Sequence, residues 1–72
     1  GGGNEKEDVL LRLIAISGEL PAGLVGEIVE SESYAAALIT RLKKENYISV
    51  RNSGGFKGYV LRSKGKRYLL EK

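Results

Sequence analysis

Arg41, Lys43 and Lys44 lie almost side by side, and Arg51 and Lys57 follow a short way downstream in the same 72-residue chain. Guanidinium and ammonium groups clustered like this hold phosphate or another polyanion by charge and hydrogen bonding. The surrounding residues indicate which elements must carry them. Ala35, Leu38, Ile39 and Leu42 recur at helical spacing, which predicts a helix over about 31–46 that starts on a cap at Ser31 or Ser33. Asn46 is a fitting left-handed terminator. Tyr47, Ile48 and Val50, then Tyr59 and Leu61, alternate with polar partners on either side of Asn52-Ser53-Gly54-Gly55-Phe56-Lys57-Gly58. That pattern predicts a β-hairpin with an extended, mobile tip. A cationic helix running into a cationic hairpin can meet a charged polymer at two points.

Stepping each residue of that helix by 100° places Ser33, Ala37, Thr40 and Lys44 opposite the apolar side, flanked by Ala36, Lys43, Arg41 and Tyr34. A helix of this size fits the major groove of B-form DNA, which is about 12 Å wide. In that pose Ser31, Ser33 and the helix start would lie near a phosphate, because unsatisfied amides favour an anion there. Thr40 and Arg41 would reach base edges, while Lys43 and Lys44 hold backbone. Arg51, Lys57 and Arg62 of the hairpin would meet phosphates of the neighbouring groove. Ala36 and Ala37 offer a base only methyl contact, so sequence discrimination is expected to be moderate. If four to six cations meet phosphates, log K should fall against log salt with a slope of about −4 to −5. The same residues would also suit an ordinary solvated helix face. Phe56, an apolar ring on the tip, is expected to fold back onto the domain.

The elements around this pair have their own signals. A first helix is predicted from about Glu5 to Ser17, with Asn4 as cap, Glu7 closing a capping box and Gly18 as stop. Val9, Leu10, Leu13, Ile14 and Ile16 are its expected buried set. Pro21 is expected to open a second helix that buries Leu24, Val25, Ile28 and Val29. Gly23 and Gly26 within it suggest that another helix crosses close by. A final helix from about Ser63 to the end should pack Tyr68, Leu69 and Leu70. The expected class is mainly α with a small hairpin, in the order helix-helix-helix-strand-strand-helix. Its two central helices form a helix-turn-helix unit, and the hairpin is a wing.

Composition narrows the function classes. At 72 residues there is room for one hydrophobic core, with 42% apolar and 29% charged residues. Residues 1–3 are expected to be a cloning scar or disordered tail and 4–72 a single domain. The absence of methionine suggests a piece excised from a longer protein. No cysteine or histidine is present, which excludes thiolate metal sites and the commonest general base. No metal or cofactor is expected. Ser63-Lys64-Gly65-Lys66 formally fits a Ser-x-x-Lys pattern, but nothing around it suggests a pocket, and Gly65-Lys66 lacks the upstream glycine of a P-loop. Glu27, Glu30 and Glu32 fall around an exposed turn. An enzyme is not expected. With no apolar run of membrane-spanning length and no secretory signal, no membrane partner is expected and the expected location is the cytoplasm.

Charge is divided along the chain. Residues 1–36 carry a net charge of −5 and residues 37–72 a net charge of +8, giving +3 in all. A basic half points to a polyanion partner, although the two halves could equally neutralise each other within one fold.

Leu38-Ile39-Thr40-Arg41-Leu42-Lys43-Lys44-Glu45-Asn46-Tyr47-Ile48 resembles the end of the recognition helix in winged helix-turn-helix regulators of the bacterial multiple-antibiotic-resistance (MarR) type. Tyr59-Val60-Leu61-Arg62-Ser63-Lys64-Gly65-Lys66 is similar to the return strand of their wing and the start of the helix after it, with Ser63 near a usual threonine. The likeness covers residues 20–70. It implies binding of double-stranded DNA through Ser33, Tyr34, Ala37, Thr40 and Arg41 in the helix and Lys57 with its neighbours in the wing. Asn46 stands where that family has glycine, and the long flanking helices that form its dimer are missing, so neither dimerisation nor effector sensing is implied. Winged helices also serve as protein-interaction modules. The competing expectation is therefore a patch of Tyr34, Ala36, Ala37 and Phe56 that contacts another protein or the rest of the parent chain.

Overall fold

A computed structural model of the chain describes residues 2–71, with side chains from Glu5 onward. Among the described residues, α1 (Gly2–Ser17), α2 (Val25–Val29), α3 (Glu32–Lys44) and α4 (Ser63–Leu70) surround strands β1 (Leu20–Pro21), β2 (Ile48–Ser53) and β3 (Phe56–Leu61). The strands form one antiparallel sheet in the order β1-β3-β2. The result is a mixed α and β fold of four helices and a three-stranded sheet. It keeps the expected order of elements and adds a short strand ahead of α2.

α1 begins earlier than expected, so Asn4 lies inside the helix rather than before it. Of the leading glycines, Gly2 and Gly3 form part of this first turn, and Gly1 lies outside the described residues. The helix ends where expected: Gly18 takes φ +80, a left-handed conformation that glycine adopts without steric cost. Its buried face differs from expectation. Leu10, Leu11 and Ile14 are fully buried and Glu7 nearly so, whereas Val9, Leu13 and Ile16 are exposed. α1 carries two apolar stripes that overlap. The one at i, i+3, i+4 and i+7 from Glu7 faces the core because Glu7 finds a cationic partner there.

Pro21 does not open a helix. Its backbone is extended (φ −57, ψ 134), and it pairs with Gly58 across the sheet while Leu20 pairs with Tyr59. A strand edge tolerates a residue with no N–H to donate. A single 3₁₀ turn, Ala22–Leu24, then leads into the five residues of α2, which bury Val25, Gly26 and Val29. Leu24 is exposed. Gly26 is approached closely by the Glu32 side chain of α3 rather than by a crossing helix backbone, and Gly23 faces open space. α1 ties down the end of α2 through Lys6 Nζ, which donates to the Val29 carbonyl at 2.9 Å.

α3 forms as its residue types dictate. Glu30 turns the chain at φ 63, and the Ser31 hydroxyl accepts the Tyr34 N–H at 3.1 Å as the N-cap. Ala35, Leu38, Ile39 and Leu42 are buried. At the far end Asn46 takes φ 66, with Asn46 N–H bonded to Lys43 O and Tyr47 N–H to Leu42 O. This is a Schellman termination with asparagine in the left-handed position.

The hairpin is tighter than expected. β2 and β3 pair in register from Ile48↔Leu61 to Ser53↔Phe56, leaving only Gly54 and Gly55 in the turn. Their φ values, 57 and 81, supply the two positive angles that a type I′ turn requires. Phe56 therefore belongs to a strand, and its ring stays 52% exposed instead of folding back. α4 closes the fold: the Tyr68 hydroxyl donates to Asp8 of α1 at 2.8 Å, and the Tyr68 ring meets that of Tyr47 at 5.4 Å. Leu69 packs against the core, but Leu70 is exposed. No helix among the described residues is long and apolar enough to cross a membrane.

Candidate nucleic-acid interface

Pairing alternates side chains across the hairpin, and this alternation decides which cations the hairpin can offer. Tyr59 is buried toward the core, so Lys57, two residues before it, lies on the same side of the sheet, its Nζ 6.0 Å from the Tyr59 ring centre. That side faces α3. An open cleft of about 290 Å³ separates them, lined among others by Glu32, Ala36, Thr40 and Lys43 of the helix and by Lys57 and Tyr59 of the strand. Lys43 and Lys57 thus stand on opposite walls of one concavity. Ser33, Ala37 and Lys44 continue the exposed surface of α3 beyond the cleft rim.

Hydrogen bonding limits what these groups have left to offer. The Thr40 hydroxyl donates to the Ala36 carbonyl at 2.9 Å, so toward a ligand it is an acceptor. The Ser31 hydroxyl is engaged as the α3 cap and lies 3.4 Å from the Ser33 hydroxyl. Ser31 thus forms the expected cap at the start of α3.

Three more of the expected contact residues point elsewhere. Arg41 donates to the carboxylate of Glu7 on α1 and approaches Glu45 at 3.9 Å. The bond to Glu7 raises the guanidinium's pKa above its ordinary value. Arg41 is on the α1 flank of α3, and the cleft is on the other flank. Tyr34 shares that α1 flank, with Lys6 Nζ 5.8 Å from its ring centre. Arg51 pairs with Glu19 at 3.6 Å on the outer side of the sheet, where the Glu19 side chain covers Gly58. The structure therefore gathers Thr40, Lys43 and Lys57, with Ser33, Ala37 and Lys44 alongside. Arg41, Tyr34 and Arg51 do not line the cleft, and Arg41 adjoins Ala37 and Lys44 on the α1 flank of the helix.

Glu32 was not anticipated as part of this cleft, although the signal was available: Glu32, Ala36 and Lys43 share one flank at a helical step of 100°. Glu7, expected to close a capping box with Asn4, pairs instead with Arg41, a partner distant in sequence. Among the described residues, no group of three acidic, cysteine or histidine side chains is placed to hold a metal.

The Glu7–Arg41 pair makes a stability prediction. The Glu7 side chain is 7% exposed and the Arg41 side chain 47%. Arg41→Ala strands a buried carboxylate and should destabilise the fold by about 1–3 kcal/mol in urea denaturation, less than for a fully buried pair. The double change Glu7→Leu with Arg41→Met should recover most of that loss. Arg41→Ala as stable as wild type would show that the pair contributes nothing.

No family model, curated protein or solved structure matches this chain.

Proposed function

We propose that this domain is a winged helix-turn-helix that binds double-stranded DNA, with α3 in the major groove and the β2–β3 hairpin along the adjoining backbone. One observation carries the reading: lysines from two separate elements, Lys43 of α3 and Lys57 of the hairpin, face one another across an open cleft, with Lys44 further along the same helix. α3 has 13 residues, or about 20 Å of helix, enough to lie along a groove about 12 Å wide. An antiparallel hairpin entered directly from α3 suits a wing, and the added strand β1 anchors that hairpin to the helices.

Sequence preference is moderate in this reading. Ala36 and Ala37 can touch a thymine methyl, and Thr40 can accept from a base amino group, but Arg41 is held by Glu7 rather than left to pair with guanine. Glu32 in the cleft sets a limit on affinity by repelling phosphate. Membership of a larger bacterial regulator or replication factor belongs to the same proposal, as does a cytoplasmic location.

The competing reading is a protein-docking patch of Tyr34, Ala36, Ala37 and Phe56. Of these, Tyr34 lies toward α1, Ala36 lines the cleft and Phe56 is on the outer side of the sheet.

Fluorescence anisotropy of a labelled duplex at several salt concentrations tests the proposal. With Arg41 and Arg51 held by carboxylates, Lys43, Lys44 and Lys57 are the lysines along α3 and the cleft, and on their contacts the slope of log K against log salt should be about −3 rather than −4 to −5. No binding at low salt would refute the proposal.

A further inference from the structure

We infer that Phe56 is an apolar wedge which the hairpin carries into the DNA minor groove, where it unstacks one base step; the inference rests on the duplex-binding reading above. The ring is half exposed at the end of an ordered strand. Its own side of the sheet gives it no apolar cover, since its cross-strand partner is Ser53 and the next residue on that side of β3 is Gly58. The paired residue beyond, Arg51, is drawn off by Glu19.

The tip is shaped for insertion. β1 stops at the level of Gly58, so the pairs Asn52↔Lys57 and Ser53↔Phe56 and the two-glycine turn extend beyond the rest of the sheet. At about 3.4 Å per residue that overhang is about 10 Å, comparable with a minor groove about 7.5 Å deep and about 6 Å wide. Gly54 and Gly55 place no side chain at the apex, and their positive φ values fit a tight type I′ turn. The first bulky group behind this thin leading edge is the Phe56 ring. Lys57 projects to the opposite side, toward α3, where it can hold a phosphate while the ring enters. Apolar side chains used this way part neighbouring bases and bend the duplex.

The 72-residue protein is mixed with short duplexes carrying 2-aminopurine beside a TA step, a step that opens readily. Binding is followed by anisotropy and unstacking by the probe's fluorescence. Wild type should brighten the probe several-fold and prefer a duplex with one mismatched step by roughly tenfold, because such a step costs less to open. Phe56→Ala should keep the salt slope but lose both the brightening and the mismatch preference, and Phe56→Leu should retain part of each. Circular dichroism of both variants should match wild type, since the ring is outside the core. Salt-dependent binding without brightening, or a mismatch preference unchanged in Phe56→Ala, overturns the wedge while leaving duplex binding in place. No binding to either duplex at low salt overturns both.

Discussion

Replacing Lys43, Lys44 and Lys57 together by alanine should lower duplex affinity by about two to three orders of magnitude at roughly 0.1 M salt and leave almost no salt dependence. Each lysine that meets a phosphate releases a counterion, and each contributes about −0.9 to the slope of log K against log salt. Single replacements should each remove about one unit of slope, whichever element carries the lysine. The variant should fold normally, because all three side chains are exposed. A triple variant that binds as tightly as wild type would mean that the anion-binding surface is elsewhere on the basic half, for instance around Arg62 and Lys64.

The second large effect concerns how the hairpin is held in place. Gly65 of α4 is buried, and a Cβ there would lie 2.5 Å from the Tyr47 carbonyl oxygen and 2.8 Å from Leu61 Cδ1. The Tyr47 carbonyl cannot yield cheaply, since it accepts the Arg62 N–H at 2.9 Å and so joins the start of β2 to the end of β3. Gly65→Ala gains about 1 kcal/mol in helix propensity but overpacks a backbone contact. The net destabilisation should be about 2 kcal/mol, or a melting point about 10 °C lower for a domain of this size. A total stability of only about 4–11 kcal/mol makes that loss easy to measure. A melting point unchanged or raised would mean that α4 does not pack on the base of the hairpin as described.

Much of this architecture could be read from the residues. The α3 stripe of Ala35, Leu38, Ile39 and Leu42 is long enough for periodicity to be decisive, and its ends are marked by Ser31 and Asn46, whose conformational preferences are local. The two hairpin strands were legible for the same reason. β1 was not, because two residues carry no period and Pro21 suits a helix start as readily as a strand edge. α1 misled because two apolar stripes overlap on it, and the choice between them depends on a partner for Glu7 that only the folded chain supplies. The tightness of the tip is not legible in the residues, because glycine pairs signal flexibility and tight type I′ turns alike.

The candidate surface was half legible. Thr40, Lys43, Lys44 and Lys57 follow from helical and strand periodicity. Arg41 and Arg51 looked equally suited by type and position, but carboxylates far upstream, Glu7 and Glu19, engage them. Charge counted along a sequence cannot separate a cation free to bind phosphate from one already neutralised.

In the proposed binding mode α3 and the hairpin meet one duplex at the same time. Amide chemical-shift mapping during titration with a short duplex tests it most directly. Concerted shifts over Ser33–Lys44 and Asn52–Lys57, tracking a single affinity, are expected, while the exposed α1 residues Val9, Leu13 and Ile16 stay still. Shifts confined to one of the two elements, or centred on α1, would contradict it.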